Sequence, residues 1–541
     1  MSITPSIRSE ADSVDNLASY LDLRTENCNA FRILVCGKSG VGKTSLVSRV
    51  FGFNGYSEIS DYQPGVHNID HEIRSPRNQR LILHDSCGLE SGSPENLQTI
   101  REFIHRRRNS TPSETLHAIW YCTEVPTSGE RIFEGGDLTF FKELKKQSPV
   151  PPVIIVFTKY DRLVFREQES IKEQKLRNDP NLRPREAARQ AKAEGKTKAA
   201  AIFEEKCVKV MKSKLPRVWN AYCKVSRDDE TSIGALVNIT TDALKGSSQL
   251  LWATAQTTDV DLKVAGSSHA AGENLQLDID EESLLSTISR TTTEVWEDNP
   301  VYSPLTADGS SLNINMDRAV QAGRSRHWRA IASSAIPIIG LRRVSTLTVL
   351  RLVHRDIVRI WNFPDPDNIL KGAVFRQQIR NLFVEPLISS KIEHAQEHGE
   401  TSPLIDNFVD AMTDPTGASA VKFAGNAAVS ILNEVALSTP ATARILMAYV
   451  ANLTLGMECL FYLLRKSDKT RITRQDVTDA YVSFYKSGAL HEVNLAVRDY
   501  IGDEEVFKAF KRDKAAQKTR DIINAHRYYT DHPAQKLPQT P

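Results

Sequence analysis

Cysteine is scarce in this chain, and its seven cysteines are spread over 541 residues with no C-x-x-C pair. That sets aside a disulfide scaffold and a zinc site, and it points to reduced thiols. Net charge is almost absent too: 69 basic against 67 acidic residues leave +2, so bulk charge argues neither for nor against a nucleic-acid partner. The start, Met1-Ser2-Ile3-Thr4-Pro5, lacks a secretory pattern and a myristoylation glycine, and the end, Leu537-Pro538-Gln539-Thr540-Pro541, lacks a prenylation cysteine. Together these absences lead us to expect a cytoplasmic protein. Long hydrophobic runs are missing except for Ala441 to Leu464. Arg444 and Glu458 interrupt that run, and Asn452, Thr454 and Gly456 dilute it. It reads as a buried helix of an all-α domain in preference to a membrane span, although membrane association stays open.

What is present is a strand-loop-helix pattern near the start. The apolar run Phe31-Arg32-Ile33-Leu34-Val35-Cys36 leads into Gly37-Lys38-Ser39-Gly40-Val41-Gly42-Lys43-Thr44-Ser45, which fits G-x-x-x-x-G-K-[ST], the phosphate-binding loop of nucleotide triphosphatases. Gly37, Gly40 and Gly42 allow the tight turn that points successive N–H groups at phosphate oxygens. Lys43 brings a cation to the β- and γ-phosphates, and the Thr44 hydroxyl can ligate Mg²⁺. The helix that opens here adds the positive end of its dipole.

Two further apolar strands carry short motifs. Val153-Ile154-Ile155-Val156-Phe157 delivers Thr158-Lys159-Tyr160-Asp161, and Leu81-Ile82-Leu83-His84 delivers Asp85-Ser86-Cys87-Gly88. An acceptor-only carboxylate, Asp161, can take two hydrogen bonds from the N1–H and 2-amino group of guanine, a pair that adenine lacks. The Lys159 stem can lie along the base plane. The first string resembles the [NT]-K-x-D motif of G proteins and the second their D-x-x-G element. The set as a whole resembles the TRAFAC class of GTPases, in the style of septins, chloroplast import receptors and immune-associated nucleotide-binding proteins. Over both halves the chain is similar to fungal G-domain proteins labelled ribosome-binding GTPases, through phrases such as Ser60-Asp61-Tyr62-Gln63-Pro64-Gly65-Val66 and Ile360-Trp361-Asn362-Phe363-Pro364. The label rests on analogy. The resemblance implies bound GTP or GDP with Mg²⁺ on Thr44 and, through water, on Asp85. It also implies Gly88 N–H at the γ-phosphate and Ser226, in Lys224-Val225-Ser226-Arg227, at guanine O6.

The expected fold is α/β, a doubly wound, mostly parallel sheet, followed by a mostly α-helical domain. Strands are expected at 31–36, 69–73, 81–84, 117–122 and 153–157, with a closing helix at 233–244. The divisions read as a flexible lead over 1–29, a G domain over 30–248, a linker over 249–316, a helical domain over 317–527 and a disordered tail over 528–541, with polar character from His526. Helices are expected over 344–363, 421–437, 441–464, 473–485 and 490–501. The G domain holds a charged insertion at about 166–214. Interleaved Glu and Asp, and no aromatic besides Phe203, make that insertion read as a solvated helical element and give no strong nucleic-acid signal.

Two departures from the family pattern bear on chemistry. Gly65 stands where small G proteins place a magnesium-ligating Thr, and Leu89 stands where many place the glutamine that orients water. No residue is therefore assigned a catalytic role. His84 reads as pointing away from the site and Arg131 as a solvated loop residue. The function expected is a GTP-binding protein, a slow GTPase or switch whose helical half relays the nucleotide state. The alternative is a septin-like, nucleotide-stabilised assembly protein with little turnover. The partner, effector or second copy, is open.

Overall fold

The computed structural model describes residues 21–22, 25, 28–51, 68–75, 78–86, 94–127, 131–147, 150–179, 181–226, 229–257, 259–274, 339–388, 403–413, 439–467, 469, 471–501 and 512–528. They fall into two compact units, one of Arg24–Lys263 and one that joins Met1–Leu23 to Val264–Pro538. Cys87, Gly88, Leu89, the 57–65 segment and the expected helix at 421–437 lie outside the described residues.

The first unit is built on a mixed six-stranded sheet of order β2-β3-β1-β4-β5-β6. Its strands are β1 (Phe31–Gly37), β2 (Ile73–Ser75), β3 (Asn78–Asp85), β4 (Ala118–Glu124), β5 (Val153–Thr158) and β6 (Ala221–Lys224). β1 pairs in parallel with β3 and β4, and β5 pairs in parallel with β4 and β6, while β2 runs antiparallel to β3. The central strands are continuous apolar runs because both faces are covered. Phe31, Ile33 and Val35 enter one buried cluster, and Leu34 and Cys36 enter the other. The second strand is shifted from the expected 69–73. Ile69 sits in a turn, and pairing starts at Ile73 because Ile73 lies opposite Leu83.

Helices α1 (Lys43–Phe51), α2 (Pro94–Arg108), α3 (Gly135–Lys146), α4 (Tyr160–Asn178), α5 (Pro184–Phe203) and α6 (Lys209–Lys214) lie between strands, and α7 (Glu230–Ala243) follows β6. Helices α8 (Ser247–Ala255) and α9 (Val260–Asn274) then occupy the first part of the stretch read as linker. The polar flank Lys245-Gly246-Ser247-Ser248 hid α8, whose Trp252 is fully buried against Phe31, Phe51 and Trp120. Burying such a side chain contributes roughly 1.5–3 kcal/mol. The sheet unit therefore runs on to Lys263, past the expected end at 248.

The second unit is helical in its described residues: α10 (Ile339–Trp361), α11 (Ala373–Ile388), α12 (Pro403–Thr413), α13 (Thr439–Ser467), α14 (Arg474–Lys486), α15 (Ala489–Tyr500) and α16 (Arg512–Ala525). Within α13, Ala443–Arg465 is long and apolar enough to cross a membrane, and 94% of it is buried. Three of its polar side chains reach neighbours, while Asn452 Oδ1 and Thr454 Oγ1 are buried with no hydrogen-bond partner among the described residues. Arg444 donates to Ile501 O, Asn452 donates to Asn494, and Glu458 takes Arg527 Nε at 2.6 Å. Gly456 lets α14 close in, since a Cβ there would lie 2.7 Å from the Tyr481 ring. The described residues at the borders of the two stretches read as loose are held. Asp22 pairs with Arg355 and Arg359, and Leu21 N–H donates to Asp356. Arg527 and Tyr528 are buried. Those partners are hundreds of residues away in one case and in an apolar helix in the other, out of reach of local pattern reading.

Candidate functional site

The loop between β1 and α1 is shaped by its glycines. Gly37, Gly40 and Gly42 take φ of +133°, +71° and +96°, values that a side chain would strain. Gly37 is also required by space, because a Cβ would lie 2.0 Å from Cys122 O on β4. At Gly40 and Gly42 a Cβ would meet nothing within 4 Å among the described residues. Lys43 folds back over the loop, donating to Gly37 O at 3.2 Å and Lys38 O at 3.1 Å. Ser39 and Ser45 are exposed, and Thr44 is half-buried at the first turn of α1. The Thr44 hydroxyl has no hydrogen bond among the described residues.

Three strand ends converge on this loop. Asp85 closes β3 opposite Val35, two residues before Gly37, and Ser86 N–H donates to Val35 O at 3.2 Å. The Ser86 hydroxyl is buried without a hydrogen-bond partner among the described residues. Thr158 closes β5, and its hydroxyl donates to Val41 O at 2.6 Å. Val225, just after β6, donates to Phe157 O and accepts from Tyr160 N–H, which ties Ser226 to the Thr158–Asp161 turn. Thr158, Val41 and the β6 end thus sit together, while the surroundings of Gly88 lie outside the described residues.

The turn after β5 puts Lys159 in the left-handed region at φ 57°, with its amino group 2.5 Å from Glu124. Asp161 follows in the first turn of α4, exposed, and it makes no hydrogen bond or ion pair among the described residues. Ser226 N–H donates to Ser232 Oγ at 3.1 Å. Lys38 is held by Glu134 at 2.6 Å. Glu134 caps α3 in a reciprocal pair with Asp137, and Asp137 accepts from Tyr121 OH. Burial raises the Asp137 and Tyr121 pKa values and pushes the Cys122 thiol up to about 12, leaving it inert.

Sequence reading missed Glu124, Glu134 and Ser232. Only Glu124 carried a signal, as the charged residue that ends an apolar strand beside the Thr158 turn. His84 is buried, between Ile69 O at 2.7 Å and Arg32 at 2.8 Å, and its pKa falls to about 4 through burial. Arg131 is exposed in the loop before α3.

Residues 369–535, within the helical unit, match a family described as Domain of unknown function (DUF8505). No curated protein matches the chain. A solved structure of an oligomerised bacterial dynamin pair, described as sensing and tethering membranes over long range, aligns over 99% of this chain and 93% of its own. Its identity is 10% and its TM-score 0.22, a level of likeness that carries no argument about either unit.

Proposed function

We propose that the sheet unit binds GTP, with Gly37–Ser45 around the phosphates, Asp161 and Lys159 at guanine, and Thr158 bracing the loop from behind. The observation that carries this reading is the loop itself. Three glycines hold positive φ, two of them with no described neighbour where a side chain would stand, and the Lys43 ammonium rests on two neutral carbonyls, weaker partners than a phosphate. The unengaged carboxylate of Asp161 supports guanine over adenine. Ser226 would exchange its bond to Ser232 for guanine O6.

Thr44 and Asp85 offer a hydroxyl and a carboxylate, hard oxygen donors that suit Mg²⁺, which would offset phosphate charge when bound. Leu89 and Gly65 argue for slow turnover. The helical unit would then respond to the nucleotide state in a cytoplasmic protein.

The test is fluorescence titration with labelled GTP and ATP. GTP should bind orders of magnitude more tightly, and Lys43→Ala should abolish measurable affinity while the protein stays folded. Equal ATP and GTP affinities, or normal binding by folded Lys43→Ala, would refute the reading.

A further inference from the structure

The two long helices inserted between β5 and β6 divide their charge unequally. Helix α4 carries five basic and four acidic residues, whereas Arg183 to Arg217 holds eleven basic and four acidic. The hairpin is closely packed. Ala187, Ala191, Gly195, Ala199 and Phe203 form the buried stripe of α5, and a Cβ on Gly195 would lie 2.5 Å from Gln168 of α4. The apolar face of α5 is thereby used up, and the helix is fixed as a rigid rod.

Arg185, Arg189, Lys192 and Lys196 recur at spacings of four, three and four. At 3.6 residues per turn they fall within about 60° of one another along ~16 Å of helix. All four are exposed, and none of their side chains makes an ion pair or hydrogen bond among the described residues. The basic residues of α4 are instead engaged: Lys172 pairs with Glu169, Lys175 with Glu194 and Arg177 with Glu173. Glu194 of α5 is turned to Lys175 and lies off the stripe.

We propose that this α5 stripe is a docking surface for a nucleic-acid duplex, held through its phosphates. One strand of a duplex presents a phosphate about every 3.4 Å along its axis, so ~16 Å of stripe faces about five of them. At an anionic lipid surface four cations contribute only about 1 kcal/mol each, and the apolar face whose insertion would add to that is covered by α4. Between the stripe residues stand Glu186, Ala188, Gln190 and Ala193, one acid against four cations, with no aromatic on which an unpaired base could stack. The contact is therefore with backbone charge and is independent of base sequence. Interleaved acidic residues had hidden it in the sequence, because pairing and position on the wheel, not composition, separate the two helices.

The experiment uses the full chain and a DNA duplex of about 20 base pairs, with binding followed by anisotropy from about 50 to 200 mM salt. Four phosphate contacts predict a log–log salt slope near −3.6. Replacing Arg185, Arg189, Lys192 and Lys196 together with Gln should remove most of that slope and weaken binding at least about tenfold at the lowest salt. The thermal midpoint should be unchanged. The Lys172→Gln, Lys175→Gln, Arg177→Gln combination should bind as the native chain does. No duplex binding by the native protein would overturn the proposal. So would equal loss in both variants, or capture by phosphatidylserine vesicles but not by duplex.

Discussion

The Thr158 hydroxyl donates to the Val41 carbonyl at 2.6 Å, joining the end of β5 to the loop after β1 across 117 residues of sequence. The bond is buried and fixes the back of that loop. Removing its donor leaves a buried carbonyl unpaired, which costs about 1–3 kcal/mol. Thr158→Val should lower the urea midpoint accordingly and speed amide exchange over Gly40–Lys43. On the proposed reading it should also weaken GTP binding, while Thr158→Ser, which keeps the hydroxyl, stays near the native value. Unchanged stability and exchange in Thr158→Val would show that the loop is held by other means.

A pH dependence follows from the two histidines around Arg32. Arg32 N–H donates to His117 Nδ1 at 2.9 Å, and Arg32 Nη1 lies 2.8 Å from His84 Nε2. Both rings are therefore neutral in the fold. Burial, aided by the Arg32 charge, lowers each pKa from 6.5 to about 4. The folded values lie below the unfolded ones, so this contribution is fully present above about pH 6.5 and is lost as pH falls through 4. Each histidine accounts for up to about 3 kcal/mol. Glu72 adds its loss lower down. Burial alone would raise its pKa, but hydrogen bonds from Arg74 and Arg32 hold it at about 2. Urea midpoints at pH 7, 5.5 and 4.5 should fall steeply for the native chain and less steeply for His117→Asn, whose amide oxygen can replace Nδ1. Identical slopes would sink the assignment.

In the helical unit, Glu458 is fully buried in α13 and takes Arg527 Nε at 2.6 Å and Tyr528 N–H at 3.2 Å. Breaking a buried pair by removing one partner costs about 3–5 kcal/mol. Arg527→Met should therefore depress the thermal midpoint sharply. Glu458→Leu combined with Arg527→Met should recover most of it, because no isolated charge remains. A double variant as unstable as the single would mean that Arg527 matters through packing and not through charge.

These cases mark where sequence reading stopped. The motif-bearing strands were legible because both-face burial writes itself as unbroken runs such as Val153–Phe157, and the loop because Gly37, Gly40 and Gly42 have no substitute in that backbone. The strand before Asn78 was misplaced because pairing with Leu83, not local propensity, sets its start. Helix α8 and the Arg527 anchor were missed because Trp252 and Glu458 are partners supplied by folding. The residues that lead into α8, Lys245-Gly246-Ser247-Ser248, and those beside Arg527 are polar and look like ends. The unpaired stripe on α5 was hidden by its alternation with Glu186 and Glu194.

The remaining prediction concerns turnover on the proposed GTP-binding reading, and it rests on Leu89 and Gly65. A leucine cannot orient the attacking water, and a glycine cannot supply the hydroxyl that couples Mg²⁺ to the γ-phosphate. Lys43, the loop N–H groups and the ion stabilise charge but do not position a nucleophile. Hydrolysis by the pure protein should then run at or below the order of 10⁻⁴ s⁻¹, the intrinsic rate of Ras-like proteins. Leu89→Gln alone should change it little, since Gly65 remains. Lys38 is the residue to watch, because phosphate could draw it from Glu134, where it now sits at 2.6 Å. Lys38→Met should slow any measured single-turnover rate, and Glu134→Gln, which frees the lysine, should not. A rate near 1 s⁻¹ without a partner would show that this chain already completes the site, and exposed Arg131, in the loop that leads to Glu134, would be the first residue to replace.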